Sequence, residues 1–267
     1  MVTKRKKKRP AKVKKKRLGL QVIPFGPPGI GKTSLMAQMP SPYFICDPNE
    51  RGIERLVEFN NVEIPQGIKH DCFESITEIN ERLEDFIQDS EGFESIILES
   101  MTGLELIGKL ECVDTDYGGD SSEFLSYGKG YDMLNSKYMT PLRRNLGILA
   151  GKGIHTMVTG HSKAKTMVNV LGADYSAITV DVTPKIWSSW HTWAGGLWFL
   201  NKELTVVKDD PNNKRKAAKV KDAERVLFTD STEYAFEAKD QYGLPDQLEM
   251  NGTPAENWKL ISDEIGL

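Results

Sequence analysis

The residues that speak most directly of chemistry are Gly26, Pro27, Pro28, Gly29, Ile30, Gly31, Lys32 and Thr33, followed by Ser34. They fit the spacing G-x-x-x-x-G-K-[ST], in which each fixed residue has a physical task. The glycines let backbone N–H groups turn inward around a phosphate, and a helix N-terminus just beyond them adds partial positive charge. Lys32 is placed to reach the β- and γ-phosphates of a nucleoside triphosphate, and the Thr33 hydroxyl to bind Mg²⁺. ATP and Mg²⁺ are therefore the expected ligands. A plain glycine-rich turn is the alternative, but the segment sits between a predicted apolar strand (18–25) and a predicted helix (32–39), where a phosphate cradle needs it.

Hydrolysis asks for more: a carboxylate that holds the metal's water shell, and a second group that orients or deprotonates the attacking water. The first is expected at the end of a buried strand beside the cradle strand. The run 93–98 ends at Glu99, where Asp is usual. Glu99 reads as the metal-water contact, with a catalytic base or a plain strand-end acid as alternatives. Glu50, in the acid-rich turn after a second strand at 43–46, is the candidate for orienting water, because the C-terminal ends of parallel strands face the ligand crevice. The competing role for this turn is a helix start capped by Asp47 or Asn49. His161, after a strand at 154–160, is similarly placed to sense the γ-phosphate, or else is an ordinary core or surface histidine.

These groups need a scaffold, and the pattern supplies one. Ile76, Ile79, Leu83, Phe86 and Ile87 recur three and four apart, which predicts a helix with one apolar face. Ile53, Leu56 and Val57 predict another. Helices are expected at 102–110, 127–139 and 141–152, the last opened by Thr140 as cap and Pro141 at the first helical position. The stretch 113–123 reads as an acidic loop and 160–180 as a polar loop. Strand and helix alternate four times, the pattern of an α/β fold with a mostly parallel sheet flanked by helices. A Trp-rich helix, a strand at 196–200, two short strands and a helix near 255–265 complete the chain, giving a small β extension near the C-terminus.

The 267 residues carry 35 Lys and Arg against 38 Asp and Glu, a formal net charge of -3. That total hides a strong asymmetry, because residues 1–17 hold eleven of the bases and no acid, leaving 24 bases against 38 acids. The chain divides into a basic arm, 1–17, expected to be disordered until it meets a polyanion, and an acidic body, 18–267. No stretch is apolar enough for a membrane helix, so a cytoplasmic protein without a membrane partner is expected. Cys46, Cys72 and Cys112 form no CxxC pair and read as reduced and structural.

The chain resembles the phage-encoded RecA-core P-loop ATPases, the phage nucleotide-binding or Sak-type single-strand annealing proteins. The resemblance runs from about residue 18 to about 250 and rests on GPPGIGKTS, FICDPNERG, SIILES, TGHSK and AKDQYGLP in that order. It implies a RecA-like fold, ATP-dependent action on single-stranded DNA in recombination, annealing or replication, and homo-oligomers, rings or filaments, in the host cytoplasm. A single-strand DNA-binding protein is a further candidate partner. Nucleotide-gated DNA binding with negligible hydrolysis is the alternative that Glu99 permits. A basic residue from a neighbouring subunit commonly completes such ATP sites; Lys239 is the matching candidate, although Gln241 stands where the pattern often has a second base.

DNA would lie along loops after the central strands, where 162–180 offers Lys163 and Lys165. Lys214, Arg215, Lys216, Lys219 and Lys221 would extend the track, and the arm would add an unspecific, salt-sensitive attraction. Nuclear targeting and a solvated hairpin are the alternatives for the two basic runs. Trp187, Trp190 and Trp193, three apart, read as core in preference to base stacking.

Overall fold

A computed structural model describes residues 17–59, 64–65, 67–168, 172–207, 219–231 and 236–267. In chain order the elements are β1 (Gln21–Gly26), α1 (Lys32–Met36), β2 (Pro42–Cys46), α2 (Gly52–Phe59), β3 (Lys69–Cys72), α3 (Ile76–Gln88), β4 (Ser95–Glu99) and α4 (Met101–Tyr117). Then come α5 (Ser121–Leu125), α6 (Lys129–Met133), α7 (Thr140–Gly151), β5 (His155–Val158), β6 (Gly160–Met167), β7 (Tyr175–Val180) and α8 (Pro184–Trp193). The chain closes with β8 (Gly196–Val207), β9 (Lys219–Phe228), β10 (Gln247–Glu249) and α9 (Pro254–Ile265). Among the described residues no helix is long and apolar enough to cross a membrane.

The sheet runs β10-β9-β8-β1-β5-β4-β2-β3. From β8 to β3 every pairing is parallel, while β9 and β10 add the antiparallel extension expected near the C-terminus. Strand alternation divides the core between two faces. Ile23, Ile45 and Leu98 pack under α3, α4, α7 and α8, whereas Val22, Phe44 and Ile97 pack under α1 and α9. This is the α/β fold with a mostly parallel sheet flanked by helices that the strand–helix alternation implies.

The three-and-four spacing in α3 holds, with Ile76, Ile79, Leu83 and Phe86 buried and Ser75 capping the helix through the Glu78 N–H. Four expectations need correction. The acidic stretch 113–123 is not one loop: α4 continues through it to Tyr117, since Asp and Thr do not break a helix that already buries Cys112 and Val113, and it stops only at Gly118. Thr140 starts no separate helix, because a π-helical segment, Leu134–Met139, leads straight into α7 and the Thr140 hydroxyl donates to the Asn135 carbonyl instead. A proline lacks its N–H, and the wider turn ahead of Pro141 lets it sit inside a helical run.

Residues 160–180 are not a polar loop. Strands β6 and β7 pair antiparallel from Ser162 with Val180 to Met167 with Tyr175, continuing the line of β5 and touching β1 at Phe25 and Gly26. The hairpin has little apolar alternation because only its base meets the core, which hid it from a pattern reading. Finally, Cys46 and Cys72 are not both reduced: they are register partners on β2 and β3 and form a disulfide, leaving Cys112 free and buried.

Trp187 and Trp190 are buried, as a core stripe should be, with the Trp187 indole donating to Glu237. Residues 1–16 of the arm and 208–218 of the second basic run lie outside the described residues. Arg17, at the arm's end, donates to the Ile265 and Gly266 carbonyls that close α9, a cation at a helix C-terminus.

Candidate active site

Strand β1 delivers its chain straight into the glycine-rich turn, and α1 begins at Lys32 on the far side. The turn needs the left-handed region at Gly29 and Gly31, with φ of 75° and 105°, which a side chain would strain. Lys32 is buried, its ammonium donating to the Gly26 carbonyl at 3.0 Å and the Pro27 carbonyl at 3.1 Å. Burial lowers its pKa to about 8 against the pull of Glu99 and Glu50. A cation held this way is short of counter-charge, so a phosphate in the loop would find a donor already in place.

Glu50, Glu99 and His161, separated by about 50 to 110 positions, meet above that turn. They line one cavity of about 430 Å³ with Pro28, Gly29, Gly31, Lys32, Thr33 and Ser34. Glu99 does not stand on a strand next to β1, because β5 intervenes in the sheet order. It reaches the loop regardless, accepting a hydrogen bond from the Thr33 hydroxyl at Oε1, and the extra methylene of Glu over Asp suits that span. Its other oxygen, Oε2, is buried with no partner. Burial pushes its carboxyl up to about 7, the Glu50 charge adding and the Thr33 hydrogen bond, Lys32 and His161 partly offsetting.

A hydroxyl and an unpartnered carboxylate oxygen side by side are the hard oxygen donors that a partly hydrated Mg²⁺ takes. Thr33 and Glu99 therefore fit the metal their positions suggested. Bound with a triphosphate, such an ion would neutralise charge on the β- and γ-phosphate oxygens.

Asp47 ends up in the turn, not the cavity: it is 2 % exposed, and its Oδ1 accepts the Asn49 N–H at 2.7 Å. That short turn throws Glu50 forward to hydrogen-bond with His161 Nε2. Burial disfavours the Glu50 anion, but hydrogen bonds from His161 and Ser100, with the charges of His161 and Lys32, hold its carboxyl below the usual range. One carboxyl pushed up and its neighbour held down is the arrangement that separates proton-holding from charge-bearing roles.

Lys239 is not brought to this cavity. Its backbone pairs with Leu197 in β8, and its ammonium donates to the His191 carbonyl at 2.5 Å. The adjoining AKDQYGLP residues do structural work: Asp240 accepts the N–H groups of Tyr242, Gly243 and Leu244 and the Trp198 indole. Several cavity residues are given no site role by the sequence, among them Arg51, Gly52, Arg55, Ser100 and Thr159. For the first three the signal was present in RGIER, two arginines four apart directly after the acid-rich turn.

A family model described as an AAA domain (AAA_24) matches residues 18–242. The chain belongs to that AAA domain family. Its membership makes this AAA domain a P-loop ATPase by family, in keeping with the nucleotide cradle and carboxylates gathered around it. Among solved structures the AAA domain is similar to the flagellar accessory protein FlaH from Methanocaldococcus jannaschii, at 12 % identity and a TM-score of 0.41, covering 79 % of this chain and 78 % of that one. No curated protein matches significantly.

Proposed function

We propose that this AAA domain hydrolyses ATP with Mg²⁺ and couples the cycle to single-stranded DNA, in recombination, annealing or replication of the phage type. The observation that carries the reading is the position of His161. It is hydrogen-bonded to Glu50 in the cavity and is also the second residue of β6, so a change at the γ-phosphate has a covalent route into the β6–β7 hairpin. Lys32 and the loop amides would hold the phosphates, Glu50 would orient the attacking water, and Thr33 with Glu99 would carry the metal.

On the hairpin Lys165 is exposed and available to a phosphate backbone, whereas Lys163 is engaged by Asp181 at 3.0 Å and the Val182 carbonyl at 2.8 Å. The eleven-base arm supports a polyanion partner through charge alone. Homo-oligomers in the host cytoplasm, with Lys239 reaching a neighbouring subunit, complete the proposal. ATPase rates with and without single-stranded DNA test it; no stimulation at any salt concentration overturns the DNA coupling. Deleting residues 2–17 is expected to flatten the salt dependence of DNA affinity.

A second reading, nucleotide-gated DNA binding with negligible hydrolysis, is favoured by one feature, the Glu99 carboxyl pushed up to about 7 where an ionised acid is wanted. Glu99→Asp separates the two: a large gain in turnover supports gated binding, and an equal or lower rate supports hydrolysis by the natural residue.

A further inference from the structure

The cavity has a wall that the P-loop does not supply. Helix α2 faces it with Gly52, Arg55 and Leu56, spaced three and four apart, while Ile53 on the other side is wholly buried and anchors the helix. Val57, expected to share that buried face, is 44 % exposed. The approach is close. A Cβ on Gly52 would stand 2.8 Å from Glu99 Oε1 and 3.3 Å from the Thr33 hydroxyl, so the first turn of α2 lies against the pair assigned to the metal.

Charge makes this wall consequential. The cavity holds one ammonium, Lys32, against two carboxyls, Glu50 and Glu99. A triphosphate adds several negative charges, and the transferred phosphoryl group spreads charge over its equatorial oxygens at the transition state. Lys239, the candidate for a cation reaching a neighbouring subunit, donates to the His191 carbonyl and adds no charge to its own chain's cavity. Arg51 is engaged by Glu54 at 3.5 Å and the Pro48 carbonyl at 3.3 Å. Arg55 lines the cavity with its side chain exposed, and its guanidinium has no hydrogen-bond or ion-pair partner among the described residues.

We propose that Arg55 is an arginine supplied in cis to the γ-phosphate, so that α2 closes on the bound nucleotide and completes the site from within the same chain. This rests on reading the cavity as an ATP site. A guanidinium offers a planar fork of donors to two phosphoryl oxygens, which an ammonium at the same place does not. Because α2 follows the turn that carries Glu50, closure would bring the water-orienting carboxylate and the arginine to the γ-phosphate together.

The test compares ADP with ADP plus aluminium fluoride, a mimic of the transferred phosphoryl group, by calorimetry in the presence of Mg²⁺, alongside steady-state turnover. For Arg55→Ala we expect ADP affinity to change by less than about threefold while affinity for ADP with aluminium fluoride and kcat each fall roughly 1,000-fold, at the low end of what such arginines supply. Arg55→Lys should recover little of either. Equal loss of ADP and of the mimic would overturn the proposal, placing Arg55 against the rest of the nucleotide. So would an Arg55→Ala protein indistinguishable from wild type. If the wild type binds neither ligand, the ATP-site reading itself fails; if it binds both and Arg55→Ala does too, only the arginine assignment falls.

Discussion

The two edges of the parallel sheet are built on opposite terms. At the C-terminal ends of the strands lie Glu99 with an unpartnered Oε2, Asp47 with an unpartnered Oδ2, His161 with an unpartnered Nδ1, and a buried Lys32 lowered to about 8. At the N-terminal ends the polar groups are met. The Leu20 N–H donates to His155 Nδ1 at 3.1 Å, the Gln21 N–H donates to the Tyr242 hydroxyl at 2.8 Å, and that hydroxyl donates back to the Gln21 carbonyl at 3.2 Å. Among the described residues there, the neutral Ser95 hydroxyl and the Trp193 indole N–H just ahead of β8 are exceptions. Unpaired buried charge costs stability, so a fold tolerates it where a ligand later supplies the partner. One edge is made to receive something and the other to hold the molecule shut.

Breaking the receiving edge should remove function and spare the fold. Lys32→Ala is expected to weaken ATP binding by about 100-fold or more, since a charged phosphate donor is lost, with little change in melting temperature. Isothermal titration and a thermal melt of the same sample check both halves. Breaking the closed edge should do the reverse. Asp240→Ala strands three backbone N–H groups and the Trp198 indole, so urea unfolding should show a loss of about 3 kcal/mol while ATP affinity stays within error of wild type.

Two smaller effects sharpen the contrast through pH. The Glu99 carboxyl is raised from 4.5 to about 7 in the fold, so its contribution to stability is complete below 4.5 and is lost as pH rises through 7. Glu99→Gln cannot ionise; without nucleotide or metal it should be more stable than wild type at pH 8, by on the order of 2 kcal/mol, and should lose turnover. A wild-type advantage at pH 8 would contradict the assignment. His155 behaves oppositely. Burial, with the Arg17 charge, lowers it from 6.5, so its contribution is present above 6.5 and is lost as pH falls through the folded value. His155→Gln should therefore flatten the acid limb of stability below pH 6.5, read from denaturant midpoints.

The parts of the site that were legible in the sequence are those whose chemistry is contiguous. The loop from Gly26 to Ser34 carries its own geometry, and Glu50, Glu99 and His161 were found because each ends a strand whose apolar run is readable by itself. The adjacency of Glu99's strand to the cradle strand was misjudged, since β5, about 60 residues later in the chain, inserts between them. The β6–β7 hairpin was missed because most of it buries no apolar face, and the disulfide because register, not spacing, brings Cys46 to Cys72. Lys239, which the resemblance assigns to a neighbouring subunit's site, stands on the closed side of its own chain, where its backbone bridges to Leu197.

By itself the sequence determined that this chain cradles a phosphate, that a parallel sheet supports the cradle, and that a strongly basic arm is joined to an acidic body. Those are properties of neighbouring residues, settled by local backbone freedom, apolar periodicity and charge count. Only the tertiary structure decided which acid meets Thr33, which histidine holds Glu50, and that Arg55 faces the same cavity while Lys239 does not. Those pairings join residues far apart along the chain, and strand order, register and the burial of Ile53 on the inner side of α2 fix them through packing that no local pattern encodes.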